Sequence, residues 1–81
     1  MREEVARRVK EVVARVLKVD PARITEEAHF VNDLGASSVK SIELVAAFEE
    51  EFDIEMDEEE ALQVKTVGGA IDFIEKHIRG Q

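Results

Sequence analysis

The sequence predicts an all-α fold: a four-helix bundle with three longer helices, one short third helix and a long loop between helices one and two. Three observations carry this reading. Apolar residues recur at spacings of three and four in three separate segments. No segment shows the apolar/polar alternation of a half-buried strand. A hydroxyl or carboxylate residue that can act as a helix N-cap stands before three of the four segments.

The first helix is read from Val5, Val9, Val12, Val13, Val16 and Leu17, with Arg7, Arg8, Lys10, Glu11 and Arg15 on the other side. Asp20-Pro21 marks its end, because a residue before proline avoids helical angles. The connection from about Lys18 to Ala36 is long for a structureless loop, and such loops are usually functional or locally ordered. Thr25-Glu26-Glu27 reads as a short turn, and Phe30 and Leu34 pin the loop to the core.

The second helix runs from Ser38 to Phe52 with Ser37 as N-cap. Its expected apolar stripe is Ile42, Val45, Ala46, Phe48 and Phe52. Asp57, with Glu60 three residues on, is a capping-box pattern that opens the short third helix, which ends near Gln63. Thr66 caps the fourth, whose stripe is Val67, Ala70, Ile71, Ile74 and Ile78. Lys76 and Arg79 complement the dipole in its last turn, and Gly80 can end it.

The chain has 81 residues, and we read residues 1–81 as a single domain with a small core. It has no cysteine, so neither disulfides nor thiolate metal sites form. No apolar run approaches the roughly 20 residues that span a bilayer, and the N-terminus lacks the apolar stretch of a signal peptide. A cytoplasmic monomer is the expectation. The net charge of −8 argues against nucleic acid and anionic membranes and favours basic protein partners.

The chain's chemistry concentrates on one run, Asp33-Leu34-Gly35-Ala36-Ser37-Ser38-Val39-Lys40-Ser41-Ile42-Glu43-Leu44-Val45. A glycine turn ends in a hydroxyl residue and a helix begins at once. Ser38 therefore stands where backbone N–H groups lack partners and negative charge is stabilised. A serine before a helix is ordinarily only a cap, and Ser37 can fill that role by itself.

The run resembles the prosthetic-group site of the acyl carrier proteins, which carry 4′-phosphopantetheine on the serine of an Asp-Leu-Gly-x-Asp-Ser-Leu motif. The likeness continues through Val19-Asp20-Pro21 and Ile24, Phe48-Glu49-Glu50-Glu51-Phe52-Asp53-Ile54, and Thr66-Val67 with Ala70-Ile71-Asp72-Phe73-Ile74. The resemblance implies that Ser38 is the attachment residue. It also implies loading from coenzyme A by a separate phosphopantetheinyl transferase. The chain would then be a carrier with no turnover of its own, serving enzymes of fatty-acid, lipid or polyketide synthesis. A carrier of aminoacyl or peptidyl groups and an unmodified acidic helical adaptor are the alternatives.

Three positions depart from the family pattern. Ser37 stands where an aspartate is usual, Val39 where a leucine is usual, and Lys40 where an acid is frequent. Less negative charge beside Ser38 points to a specialised set of partners. Glu43, Glu49 and Glu50 resemble positions that meet basic patches on partner enzymes, and Ser37 and Lys40 join them as docking candidates. Ile42, Ala46, Phe52, Ile54, Met56, Ala61, Leu62 and Ile71 are the candidate lining of an acyl pocket; an ordinary packed core explains the same residues.

The acidic run Asp57-Glu58-Glu59-Glu60 lacks the alternating ligands and central glycine of a calcium loop. His29 and His77 are far apart, with no cysteine to complete a metal site. No nucleophile–base–orienter set is visible around either histidine.

Overall fold

A computed structural model describes the backbone of residues 2–79 and the side chains of residues 2–78. Four α-helices are present: α1 Arg2–Leu17, α2 Ser38–Phe52, α3 Glu58–Leu62 and α4 Val67–Arg79. A 3₁₀ turn, Pro21–Arg23, lies in the long α1–α2 loop. The described residues form no strand, only an isolated antiparallel bridge between His29 and Thr66. The expected charge of Arg79 and the stop at Gly80 lie outside the described side chains and residues.

Valine dominates the buried side of α1. Val9, Val12 and Val13 are fully enclosed, packed in one cluster with Val67, Ile71 and Ile74 of α4. Each such side chain contributes roughly 1.5–3 kcal/mol by leaving water. α1 does not end at Asp20-Pro21. Lys18 turns left-handed (φ 57°) and the Val19 N–H donates to the Ala14 carbonyl at 3.2 Å. This is a Schellman closure built without glycine. Asp20-Pro21 instead opens the 3₁₀ turn, with the Asp20 carboxylate accepting from Ala22 N at 2.9 Å.

α2 starts and stops where the sequence predicts. The Ser37 hydroxyl accepts from Lys40 N at 3.2 Å. At the other end Asp53 is left-handed (φ 54°), and Ile54 N donates to the Glu49 carbonyl at 3.1 Å. The buried stripe differs from expectation: it is Leu44, Val45, Phe48 and Phe52. Ile42 is 46 % exposed and Ala46 is also exposed. A helix advances by 3.6 residues per turn, so Leu44, Val45, Phe48 and Phe52 share one face while Ile42 and Ala46 lie well off it.

The long loop is ordered by α4. The first N–H groups of α4 point into loop carbonyls: Val67 N to Ala28 O at 3.0 Å and Gly68 N to Glu26 O at 2.8 Å. The Thr66 hydroxyl caps Gly69 N at 3.1 Å, as expected of an N-cap. Phe30 N donates to Lys65 O at 3.0 Å, while Ile24, Ala28, Phe30, Leu34 and Ala36 are buried. Gly68 permits this close approach: a Cβ would stand 3.0 Å from the Glu26 carbonyl oxygen, and the loop backbone would have to give way. Arg2 clamps the same loop from outside, pairing with Glu26 at 2.9 Å and Asp72 at 3.0 Å. Hydrogen bonding to Arg2 holds the Glu26 carboxyl below its ordinary range, and the Arg2 guanidinium is held above its own.

Candidate functional site

The loop delivers the chain to α2 through a single turn closed by Gly35. Asp33 N and Leu34 N both donate to the His29 carbonyl at 3.0 Å, and the Asp33 carboxylate accepts from His29 N at 2.7 Å. Gly35 then adopts φ +75° and its N–H meets the Val31 carbonyl at 3.1 Å. That left-handed step suits glycine and ends the turn. Ala36 is buried, with its N–H on the Phe30 carbonyl at 2.8 Å. The next residues, Ser37 and Ser38, emerge into solvent.

The three serines separate by environment. The Ser37 hydroxyl is committed to the Lys40 N–H. Ser38 is exposed at the first helical position. Ser41 is half-buried, and its N–H bonds the Ser37 carbonyl at 2.9 Å. Among the described residues the Ser38 and Val39 N–H groups have no partner. Two free donors and the positive end of a 15-residue helix therefore stand beside the Ser38 hydroxyl. This arrangement fits an anionic phosphodiester on that oxygen.

Beside Ser38 opens a cleft of about 780 Å³, within the range of small-molecule sites. Ser37, Ser38 and Ser41 lie on its wall, as do Ile42, Met56, Ala61 and Leu62, four of the eight residues expected to line a pocket. The other four are elsewhere. Ala46 is on the exposed side of α2. Phe52, Ile54 and Ile71 belong to the packed core, and Phe52 lies under the Arg8 guanidinium at 4.5 Å. The apolar wall is completed by Phe30, Val45, Phe48, Phe73 and Ile74 among others. Phe30 and α4 reach the cleft through the Phe30–Lys65 backbone pairing, a long-range contact with no local sequence signature. Phe73 was not among the expected pocket residues; the sequence singled it out only within the run that resembles the family's last helix.

The acidic candidates also separate. Glu43 is exposed and pairs with Lys40 at 3.3 Å, one turn along α2. Glu50 is exposed. Glu49 is half-buried, and its carboxylate accepts from Met56 N at 2.9 Å, which fixes the α2–α3 connection. His29 lines the cleft, whereas the His77 ring packs against Phe73 in a tilted arrangement, centroids 4.5 Å apart, and reaches the Phe73 carbonyl. No group of three or more His, Cys, Asp or Glu among the described residues could hold a metal ion. No described helix is long and apolar enough to cross a membrane.

The sequence that builds this site is similar to known proteins. The family model described as a phosphopantetheine attachment site matches residues 7–74. An acyl carrier protein of Phenylobacterium zucineum (strain HLK1) is 47 % identical over 75 residues, covering 93 % of this chain and 95 % of that protein. Helix order, the exposed serine after a glycine turn and these likenesses agree: the chain belongs to the acyl carrier protein family, whose members carry a 4′-phosphopantetheine prosthetic group and act as carriers rather than catalysts.

Proposed function

We propose that Ser38 carries the 4′-phosphopantetheine arm and that the chain delivers acyl groups to enzymes of fatty-acid, lipid or polyketide synthesis. The observation that carries this reading is the exposed Ser38 hydroxyl at the start of α2, beside two unpartnered N–H groups and the cleft. In loading, the Ser38 oxygen forms a bond to the β-phosphorus of coenzyme A, loses its proton and releases adenosine 3′,5′-bisphosphate. A separate transferase catalyses that step. The attached arm supplies a thiol on which acyl groups are held as thioesters.

The chain's own residues mount and present the arm. Gly35 and the buried Ala36 set the direction of approach, and Ser37 holds the first turn of α2 rigid. The apolar wall of the cleft favours acyl over aminoacyl cargo. Glu43 and Glu50 are the exposed acids of α2 suited to basic partners; Glu49 serves the fold through Met56. Exposed ion pairs contribute only about 0–1 kcal/mol each, so docking is weak and salt-sensitive. Ser37 and Lys40 in place of acids support a specialised partner set, met as a monomer in the cytoplasm. Equal loading of wild type and the Ser37→Asp, Lys40→Asp double variant by a primary-metabolism transferase would remove that support.

Incubation with coenzyme A, magnesium and a broad-specificity transferase, followed by intact-mass measurement, tests the assignment. One phosphopantetheinyl addition is expected for wild type and Ser37→Ala, and none for Ser38→Ala. Addition to Ser38→Ala would place the arm elsewhere.

A further inference from the structure

Lys40 holds its charge in an unfavourable place. It is the third residue of α2, counted from Ser38, and its N–H donates to the Ser37 hydroxyl at 3.2 Å. A cation in the first turn of a helix opposes the dipole, and this turn contains no acid to offset it. In a capping box a glutamate at this position reaches back to the N-cap N–H; lysine has no acceptor with which to do so. Among the described residues Glu43 is the only ion-pair partner of Lys40, with Nζ and Oε1 3.3 Å apart and the side chains 41 % and 50 % exposed. The acid lies C-terminal to the base, the less favourable order for a helical pair. Helical side chains lean toward the N-terminus, so the lysine turns against that lean to reach Glu43.

A phosphodiester on the Ser38 hydroxyl changes this balance. It adds negative charge at the end of α2 toward which the Lys40 stem leans, and that stem is flexible. The added anion also supplies the charge that the helix start favours, so lysine and dipole no longer oppose each other alone. Glu43 then loses its cation. Its other neighbours one turn away on α2, Val39, Ala46 and Ala47, carry no charge to replace it. We propose that Lys40 exchanges Glu43 for the phosphodiester when Ser38 is loaded, which frees Glu43 as a docking acid in the loaded chain. Basic partners then meet one more unpaired carboxylate on a loaded carrier than on an unloaded one. The proposal rests on Ser38 as the point of attachment.

The test follows the ¹³Cδ resonance of Glu43, assigned with Glu43→Gln, before and after loading at pH 7 and low salt. Wild type, Lys40→Gln, Lys40→Arg and Lys65→Gln are compared, and intact mass is read first. In wild type the Glu43 resonance moves on loading toward its position in unloaded Lys40→Gln, where the pair is absent. Lys40→Arg keeps that movement and Lys40→Gln lacks it. Lys65→Gln, which removes an exposed cation from the wall that Ser38 shares, behaves as wild type. Loading also raises the folding equilibrium constant of wild type about two- to fivefold more than that of Lys40→Gln, the size of an exposed ion pair, and high salt removes the difference. Comparing the two loading effects cancels whatever the arm does elsewhere. A wild-type Glu43 resonance that stays in place overturns the inference. Equal movement in Lys40→Gln overturns it as well, since that is the direct field of the phosphodiester. Loss of the movement in Lys65→Gln assigns the phosphodiester to that lysine and overturns it too. A chain that fails to load at Ser38 refutes the proposed function and this inference together; a loaded chain with Glu43 unmoved refutes this inference alone.

Discussion

Gly68→Ala probes the seam between the long loop and α4, which holds the approach to Ser38 in place. Helix propensity alone favours the substitution by about 0.8–1.0 kcal/mol. The structure reverses the sign. The new Cβ stands 3.0 Å from the Glu26 carbonyl oxygen and 3.3 Å from its Cβ, so loop backbone must move. Overpacking of this kind costs about 1–3 kcal/mol. The same movement stretches the 2.8 Å bond from Gly68 N to Glu26 O, which contributes about 0.5–1.5 kcal/mol. The net is a destabilisation of about 2 kcal/mol (the terms bracket about 0.5–3.7), or roughly 8–16 °C in Tm for a chain of this size. Gly69→Ala is the comparator, with the same propensity gain. Its Cβ would meet the side-chain atoms Thr66 Oγ1 and Val64 Cγ1, each at 3.2 Å, and these can shift by tenths of an ångström. Thermal and urea unfolding, followed by far-UV circular dichroism, should rank Gly68→Ala below both wild type and Gly69→Ala. A Gly68→Ala protein as stable as wild type would refute the close contact.

Other substitutions test other parts of the account. Lys18→Gly should stabilise by about 0.5–1 kcal/mol, because glycine takes the left-handed cap without a Cβ penalty; loss of stability in urea would contradict the cap. Ser37→Ala should cost about 1 kcal/mol by removing the α2 cap, whereas Ser37→Asp should retain it, both read from urea midpoints. Arg2→Gln should lower the urea midpoint at pH 7. Glu26 has a lower pKa folded than unfolded, so its pairing stabilises above the ordinary value of 4.5 and is lost as pH falls through the depressed folded value. The gap between wild type and Arg2→Gln should therefore close on acidification below about that value, and a gap that widens there would contradict the pairing.

What the sequence made legible follows the range of the interactions involved. α2 could be placed from its start to its end because Gly35, Ser37 and the following apolar spacing act locally. The end of α1 falls where the connection was expected to begin, at about Lys18, but not for the expected reason: its closure uses Lys18 in the conformation normally given to glycine, while the louder signal, Asp20-Pro21, starts a different turn. The pocket was half legible. Ile42, Met56, Ala61 and Leu62 reach the cleft, but the phase of the α2 stripe put Ala46 outside, and Phe52, Ile54 and Ile71 belong to the core. Contributions from Phe30, Lys65 and Phe73 depend on pairing between the loop and the segment before α4. No local pattern encodes that pairing.

The attachment of the arm to Ser38 is tested most directly by fragmenting the loaded protein and sequencing the peptide that contains Ser37, Ser38 and Ser41 by tandem mass spectrometry. The account predicts a single phosphopantetheinyl group, with every fragment that contains Ser38 carrying it and fragments ending at Ser37 or starting at Ser41 free of it. The group on Ser37 or Ser41, or on a peptide from another part of the chain, would contradict it.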